Sequence, residues 1–183
     1  MTSIPSTIAI RRPRHFDSLE QQAYLNLWRT YDRLRAVEDA LFGQYDLTAQ
    51  QYNALRLLRG EAPETLATLA LAERLVSRAP DITRLLDKLE ERGLIERVRP
   101  AENRRMVRVG ITAVGLSLLG ELDQQVRACH QRQLGHLAAD ELNELVALLQ
   151  RARSPHEPAE GSWSASGTLG SAAPVIAANA NKS

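Results

Sequence analysis

Much that would define a chemistry is scarce or missing in this chain. Its single cysteine, Cys129, rules out an intramolecular disulfide and fits a reducing compartment. No apolar run approaches the roughly 20 residues needed to span a bilayer. The opening MTSIPSTIAIRRPRHFD lacks the apolar stretch of a signal peptide, so the expectation is a soluble cytoplasmic protein with no membrane partner. His15, His130, His136 and His156 show no ligand spacing with cysteine or clustered carboxylates, which argues against a metal. P-loop, nucleophile elbow, dinucleotide fingerprint and paired catalytic carboxylates are all absent. No catalytic residue and no cofactor are therefore expected, and a lone Cys129 with a distant histidine does not make a hydrolase. Lysine is nearly missing too: of 23 basic residues, only Lys88 and Lys182 are lysine. With a net charge of +1, the amount of charge says nothing about partners. Only its distribution can.

What is present is helical periodicity over most of a 183-residue chain, enough for one domain with an arm and a tail. The segment 17–45 reads as one long helix, with Leu19, Ala23, Leu27, Leu34, Val37 and Leu41 forming a stripe. Tyr24, Trp28 and Tyr31 run beside it, and the two stripes together are wider than one neighbour can cover. That width predicts two contacts, the helix's own domain and a partner subunit. The break GQYDLT follows, and Thr48 with Gln51 has capping-box spacing for a second helix carrying Tyr52, Ala54, Leu55 and Leu58. A third helix is expected over 64–76, with Leu66, Leu69, Ala70 and Leu75 inward. A fourth is expected from Pro80 at its first position to a stop at Gly93, with Ile82, Leu85, Leu86 and Leu89 on the core face.

After Gly93 the period changes to two. LIERVRP and RMVRVGI alternate apolar and charged residues around the turn PAENR, which predicts a two-stranded hairpin. Thr112 caps a fifth helix (Leu116, Leu119, Leu122, Val126), and Asp140 is expected to cap a sixth (Leu142, Leu145, Val146, Leu149). The first 16 residues read as a flexible arm. Residues 154–183, small and unpatterned, read as a disordered tail.

Two short helices across a tight turn followed by a hairpin is the order of a winged helix-turn-helix in a mainly α chain. The second of those helices can enter a DNA major groove about 12 Å wide. Its outward residues would be Arg84 and Lys88, one turn apart, with Ser77, Arg78, Asp81 and Thr83 at the entrance. Five arginines, Arg97, Arg99, Arg104, Arg105 and Arg108, sit on or beside the hairpin, where a narrow tip can reach the minor groove or flanking phosphates. Asp81, Glu90 and Glu91 read as helix-end or solvent charges. Tyr24, Trp28 and Tyr31, with Tyr52 on the next helix, are either core or the lining of a ligand pocket. Cys129 follows the apolar period of the fifth helix, which predicts a buried, inert thiol. A rival reading is a winged-helix protein-interaction module without specific DNA binding.

The stretch LAERLVSRAPDITRLLDKLEERGLIERVRPAENRRMVRVGIT resembles the heart of the MarR family of bacterial transcription regulators, in residues and in spacing. The resemblance extends over 17–153, with a winged-helix core at 47–111 and dimerisation helices at 17–45, 112–137 and 140–153. It implies a homodimer clasped by the first, fifth and sixth helices, a double-stranded DNA operator as partner, and often a small-molecule effector that releases it. By position, Arg84 and Asn103, Arg104 and Arg105 become DNA contacts or their supports. The family usually has Asp where this chain has Asn103. Asn can still hydrogen-bond toward Arg105 but cannot form the ion pair. Oxidant-sensing members commonly carry a cysteine near the N-terminus, and this chain has none there.

Overall fold

The computed structural model describes residues 16–76, 81–100 and 106–157. Along them run α1 (Leu19–Phe42), a 3-10 turn (Gly43–Tyr45), α2 (Ala49–Glu61), β1 (Leu66–Ala67), α3 (Thr68–Arg74) and α4 (Ile82–Glu91). Then follow β2 (Ile95–Val98), β3 (Arg108–Ile111), α5 (Ala113–Leu134), α6 (Ala139–Arg153) and a 3-10 turn (Ser154–His156). The mainly helical winged-helix fold expected from the sequence is the fold observed.

Local rules account for most of the boundaries. Ser18 caps α1 by accepting from the Gln21 amide. At α2 the Thr48 hydroxyl accepts from the Gln51 amide at 3.2 Å while the Gln51 side chain accepts from the Thr48 amide at 2.9 Å, the reciprocal pair its spacing promised. Thr112 caps α5 through the Gly115 amide at 3.1 Å. Gly93, at φ 65°, lets the chain leave α4 through the left-handed region that side chains avoid.

Three expectations need correction. The third helix starts at Thr68 rather than near Glu64, because Leu66 and Ala67 pair with Val109 and Arg108 as an extra strand. The sheet therefore has three strands, in the order β1-β3-β2, and not two. A strand of two residues is too short to show as a period. The later start also resets the helix phase, so Leu71 is fully buried while Leu69 is 77% exposed. Second, α4 begins at Ile82 with Asp81 as its N-cap; the Asp81 carboxylate accepts from the Arg84 amide at 2.9 Å, the role a short acidic side chain fills well. Pro80 lies outside the described residues. Third, α6 begins at Ala139, and Glu141, not Asp140, serves its end by accepting from the Ala138 amide at 2.8 Å. After α1 the chain reverses at Asp46 (φ 50°), while Gly43, the residue that closes the helix, stays right-handed.

The core gathers under α2, α4, α5 and the sheet. Leu55, Leu58, Leu71, Leu86, Leu89, Leu119 and Leu122 are essentially inaccessible there. Gly115 allows the start of α5 to lie directly on the Leu94 carbonyl, where any Cβ would collide with backbone. An Arg59–Asp123 ion pair at 3.0 Å ties α2 to α5. The long helices are different. Only Leu41 and Phe42 of α1 are buried, and no residue of α6 is. Leu116 of α5, expected inward, is 40% exposed.

Candidate nucleic-acid interface

On α4 the apolar side is spoken for: Leu85, Leu86 and Leu89 are buried and Ile82 is packed against the core. The helical period then forces Thr83, Arg84 and Lys88 outward, and all three are exposed. Arg84 and Lys88, four residues apart, form a basic row along one side of the helix. Asp81 sits at the same end, with its carboxylate engaged as the cap described above.

The arginines of the hairpin divide into two kinds. Arg97, on β2, donates to the Asp87 carboxylate at 2.6 Å, pairs with Glu90 at 3.2 Å and donates to the Thr83 carbonyl at 3.2 Å. Its side chain is only 23% exposed. Arg108, on β3, donates to the Thr65 hydroxyl at 2.7 Å and to the Thr65 carbonyl. These two hold strands to their neighbours, with their guanidinium groups engaged inside the chain. Arg99, just beyond the end of β2, is exposed. Asp87 of α4 is thus half-buried against the wing, where it neutralises Arg97. Arg104 and Arg105, with Asn103, lie outside the described residues, as do Ser77 and Arg78.

Further polar contacts set the frame around α4. The Asn53 side chain accepts from the Val76 amide at 3.2 Å, holding the chain as it leaves α3. Arg74 pairs with Glu61 at 2.6 Å. Arg92, at the end of α4, donates to two main-chain carbonyls near the end of α1. None of these partners could be read from spacing, because 13 or more residues separate each pair. An open cleft of about 680 Å³ runs between α3, α4 and the hairpin, lined by Thr83, Leu86, Glu90, Arg97 and Arg99 among others.

The four aromatics proposed for a ligand do not come together within the chain. Tyr52 is buried and stacks on Phe42 with ring centroids 4.6 Å apart. Burial raises its phenol pKa above the ordinary 10.0. Tyr24, Trp28 and Tyr31 lie 11 or more residues before Phe42, at least about 16 Å away along the helix axis. They are 63%, 60% and 58% exposed. Trp28 lines an open groove of about 420 Å³ with Phe16, Leu25 and Arg29. Cys129 is 1% exposed, and burial followed by the nearby Glu38 charge pushes its thiol pKa up, the opposite of a reactive thiolate.

Residues 47–107 match the profile of the MarR family. The chain is 59% identical to a MarR transcription factor from Planctomyces limnophilus, over 75% of this chain and 99% of that one, with a TM-score of 0.60. The chain belongs to the MarR family. This MarR protein is therefore a DNA-binding transcription regulator of winged-helix fold. MepR from S. aureus, in a complex with DNA, is 25% identical over 72% of this chain and 97% of its own, with a TM-score of 0.65. BpsR from Bordetella bronchiseptica, whose DNA binding is regulated by 6-hydroxynicotinic acid, shares the fold at 23% identity and a TM-score of 0.65, over 76% of this chain and 96% of its own. Among the described residues of this MarR protein, no helix is long and apolar enough to cross a membrane and no cluster could hold a metal ion.

Proposed function

We propose that the protein is a homodimeric repressor that binds a pseudo-palindromic operator through α4 and its wing and answers to a small ligand. The observation that carries the reading is the exposed Arg84–Lys88 row, set opposite a buried leucine face on a helix that Arg97 fastens to the hairpin. In such a dimer the two α4 helices meet successive major grooves about 34–36 Å apart. Arg84 and Lys88 read base edges with Thr83. Arg99, Arg104, Arg105, Asn103, Ser77 and Arg78 meet phosphates or support those that do, and Asp81 presents the helix end. Residues 17–153 form the working unit, with arm and tail outside it.

The dimer is supported by what α1 leaves uncovered. Leu19, Tyr24, Leu25, Leu27, Trp28 and Tyr31 are all exposed between the start of α1 and its middle, and Val146 and Leu148 on α6. An apolar surface of that extent marks an interaction site. Tyr24, Trp28 and Tyr31 belong to that surface, so a ligand using them would sit against the partner subunit, and Tyr52 would act from the core behind. Regulation of the similarly folded BpsR by an aromatic acid supports a ligand of that kind. A ligand acts here only by its differential affinity for the DNA-competent arrangement and the alternative one.

Gel-shift titrations on fragments of the protein's own promoter region, across a salt series, test the reading. Arg84→Ala is expected to weaken specific binding by about 1–3 kcal/mol, the scale of one good base contact. Arg97→Ala is expected to weaken binding without flattening the salt dependence, since it removes no phosphate contact. Specific binding untouched by Arg84→Ala removes the assigned interface. Affinity indifferent to sequence favours a protein-interaction module instead.

A further inference from the structure

A helix C-terminus leaves carbonyl oxygens unpaired and partly negative, and a cation in the last turn usually answers them. The last turn of α1 has no basic residue. The chain continues through Gly43–Tyr45 and reverses at Asp46 in the left-handed region. Two backbone bonds close that reversal, from the Leu47 amide to the Phe42 carbonyl at 3.0 Å and from the Asp46 amide to the Gly43 carbonyl at 3.3 Å. The Tyr45 and Asp46 carbonyls are met from another element. Arg92 donates to Tyr45 at 2.9 Å and to Asp46 at 2.7 Å.

Arg92 is the residue that ends α4. Its own backbone is held in a closed turn, because the Gly93 amide donates to Glu90 at 2.8 Å and the Leu94 amide to Leu89 at 3.0 Å. The Thr112 hydroxyl then fixes the Gly93 carbonyl at 2.7 Å. At the other end, the Tyr45 hydroxyl accepts from the Gln125 side chain on α5. Tyr45 therefore joins three helices: it extends α1, offers its carbonyl to α4 and its phenol oxygen to α5. A guanidinium fork on two carbonyls restrains direction as well as distance, which a lysine ammonium does not.

We propose that Arg92 is a positioning residue for operator recognition. It clamps the turn that follows α1 from the end of α4 and, through Tyr45 and Gln125, holds the Arg84–Lys88 row at a set angle to α1 and α5. The inference rests on the homodimer reading, in which that angle determines the separation of the two α4 helices and hence which half-site spacing fits. Arg92 faces the α1–α2 turn, so it acts without touching DNA.

The test uses full-length protein, the duplex that the unaltered chain enriches from a random pool, and versions with one base pair added or removed between half-sites. The unaltered protein is expected to prefer the selected spacing by roughly tenfold or more, the size of one or two lost base contacts. R92Q is expected to lose most of that preference, and R92K to recover part of it. The salt dependence of R92Q should stay as steep as before, since a lost phosphate contact would change the slope by about 0.9. Preserved spacing preference in R92Q overturns the proposal. So does a slope shallower by that amount, or an equal loss of affinity on every spacing, which a smaller folded fraction would give. An unaltered chain that enriches no two-fold symmetric duplex overturns the dimer–operator reading itself, an outcome distinct from failure of the Arg92 variants alone.

Discussion

The winged core and the long helices around it are built from similar apolar residues with opposite results. In the core, Leu55, Leu58, Leu86 and Leu89 are at most 1% exposed. On the first half of α1, Leu27 and Trp28 remain 49% and 60% exposed. Helical periodicity is as regular in one as in the other, so the stripe itself does not say what covers it. One region completes its burial inside the chain. The other is left uncovered within the chain, and the contrast separates stability that belongs to the fold from stability that would belong to the proposed dimer.

Leu55→Ala should have the largest effect. Removing a fully buried leucine costs about 2–5 kcal/mol, and the loss in melting temperature should be independent of protein concentration. A melt that recovers as concentration rises would place Leu55 in the intersubunit account and break the contrast. Trp28→Ala should act in the reverse way. Dimer dissociation measured by sedimentation should strengthen by roughly thirtyfold, the effect of losing an aromatic anchor of about 2 kcal/mol, while the winged core still unfolds cooperatively. Unaltered self-association in that variant would remove Trp28 from the interface.

The smallest effect concerns pH. Burial raises the pKa of Cys129 above its ordinary 9.0 and that of Tyr52 above 10.0. An unfolded thiol ionises near its ordinary value while the buried one keeps its proton. Above that pH the unfolded state therefore holds fewer protons than the native state, and stability falls as pH rises. The contribution is whole below about pH 9 and declines above it. Urea melts from about pH 8 to about pH 11 should show that decline, and Cys129→Ala should delay its onset toward the range where Tyr52 takes over. An onset unmoved by Cys129→Ala would mean the thiol is solvated in solution.

The ion-pair geometry bears on the arginines in the same way. Asp87 and Glu90 would repel a phosphate track if they faced it, yet both face Arg97, so the fold turns two unfavourable charges into the fastening of the wing. The carboxylates Asp87 and Glu90 of α4 thereby serve position, and the exposed Arg84 and Lys88 carry the proposed contact.

Sequence alone was enough for whatever depends on near neighbours along the chain. The capping pair Thr48–Gln51, the Thr112 cap, the stop at Gly93 and the outward placement of Arg84 and Lys88 follow from periods of a few residues and hydrogen bonds spanning three or four. Tertiary structure alone decided which side chains meet across 10 to 80 residues of chain. It tied Arg97 and Arg108 to partners within the chain, added β1 to the sheet, parted Tyr52 from Tyr24, Trp28 and Tyr31, and delivered Arg92 to the turn that follows another helix. An arginine reads the same in sequence whether it meets a carboxylate, a carbonyl or water. Only packing the elements together settles which of these lies within reach of its guanidinium.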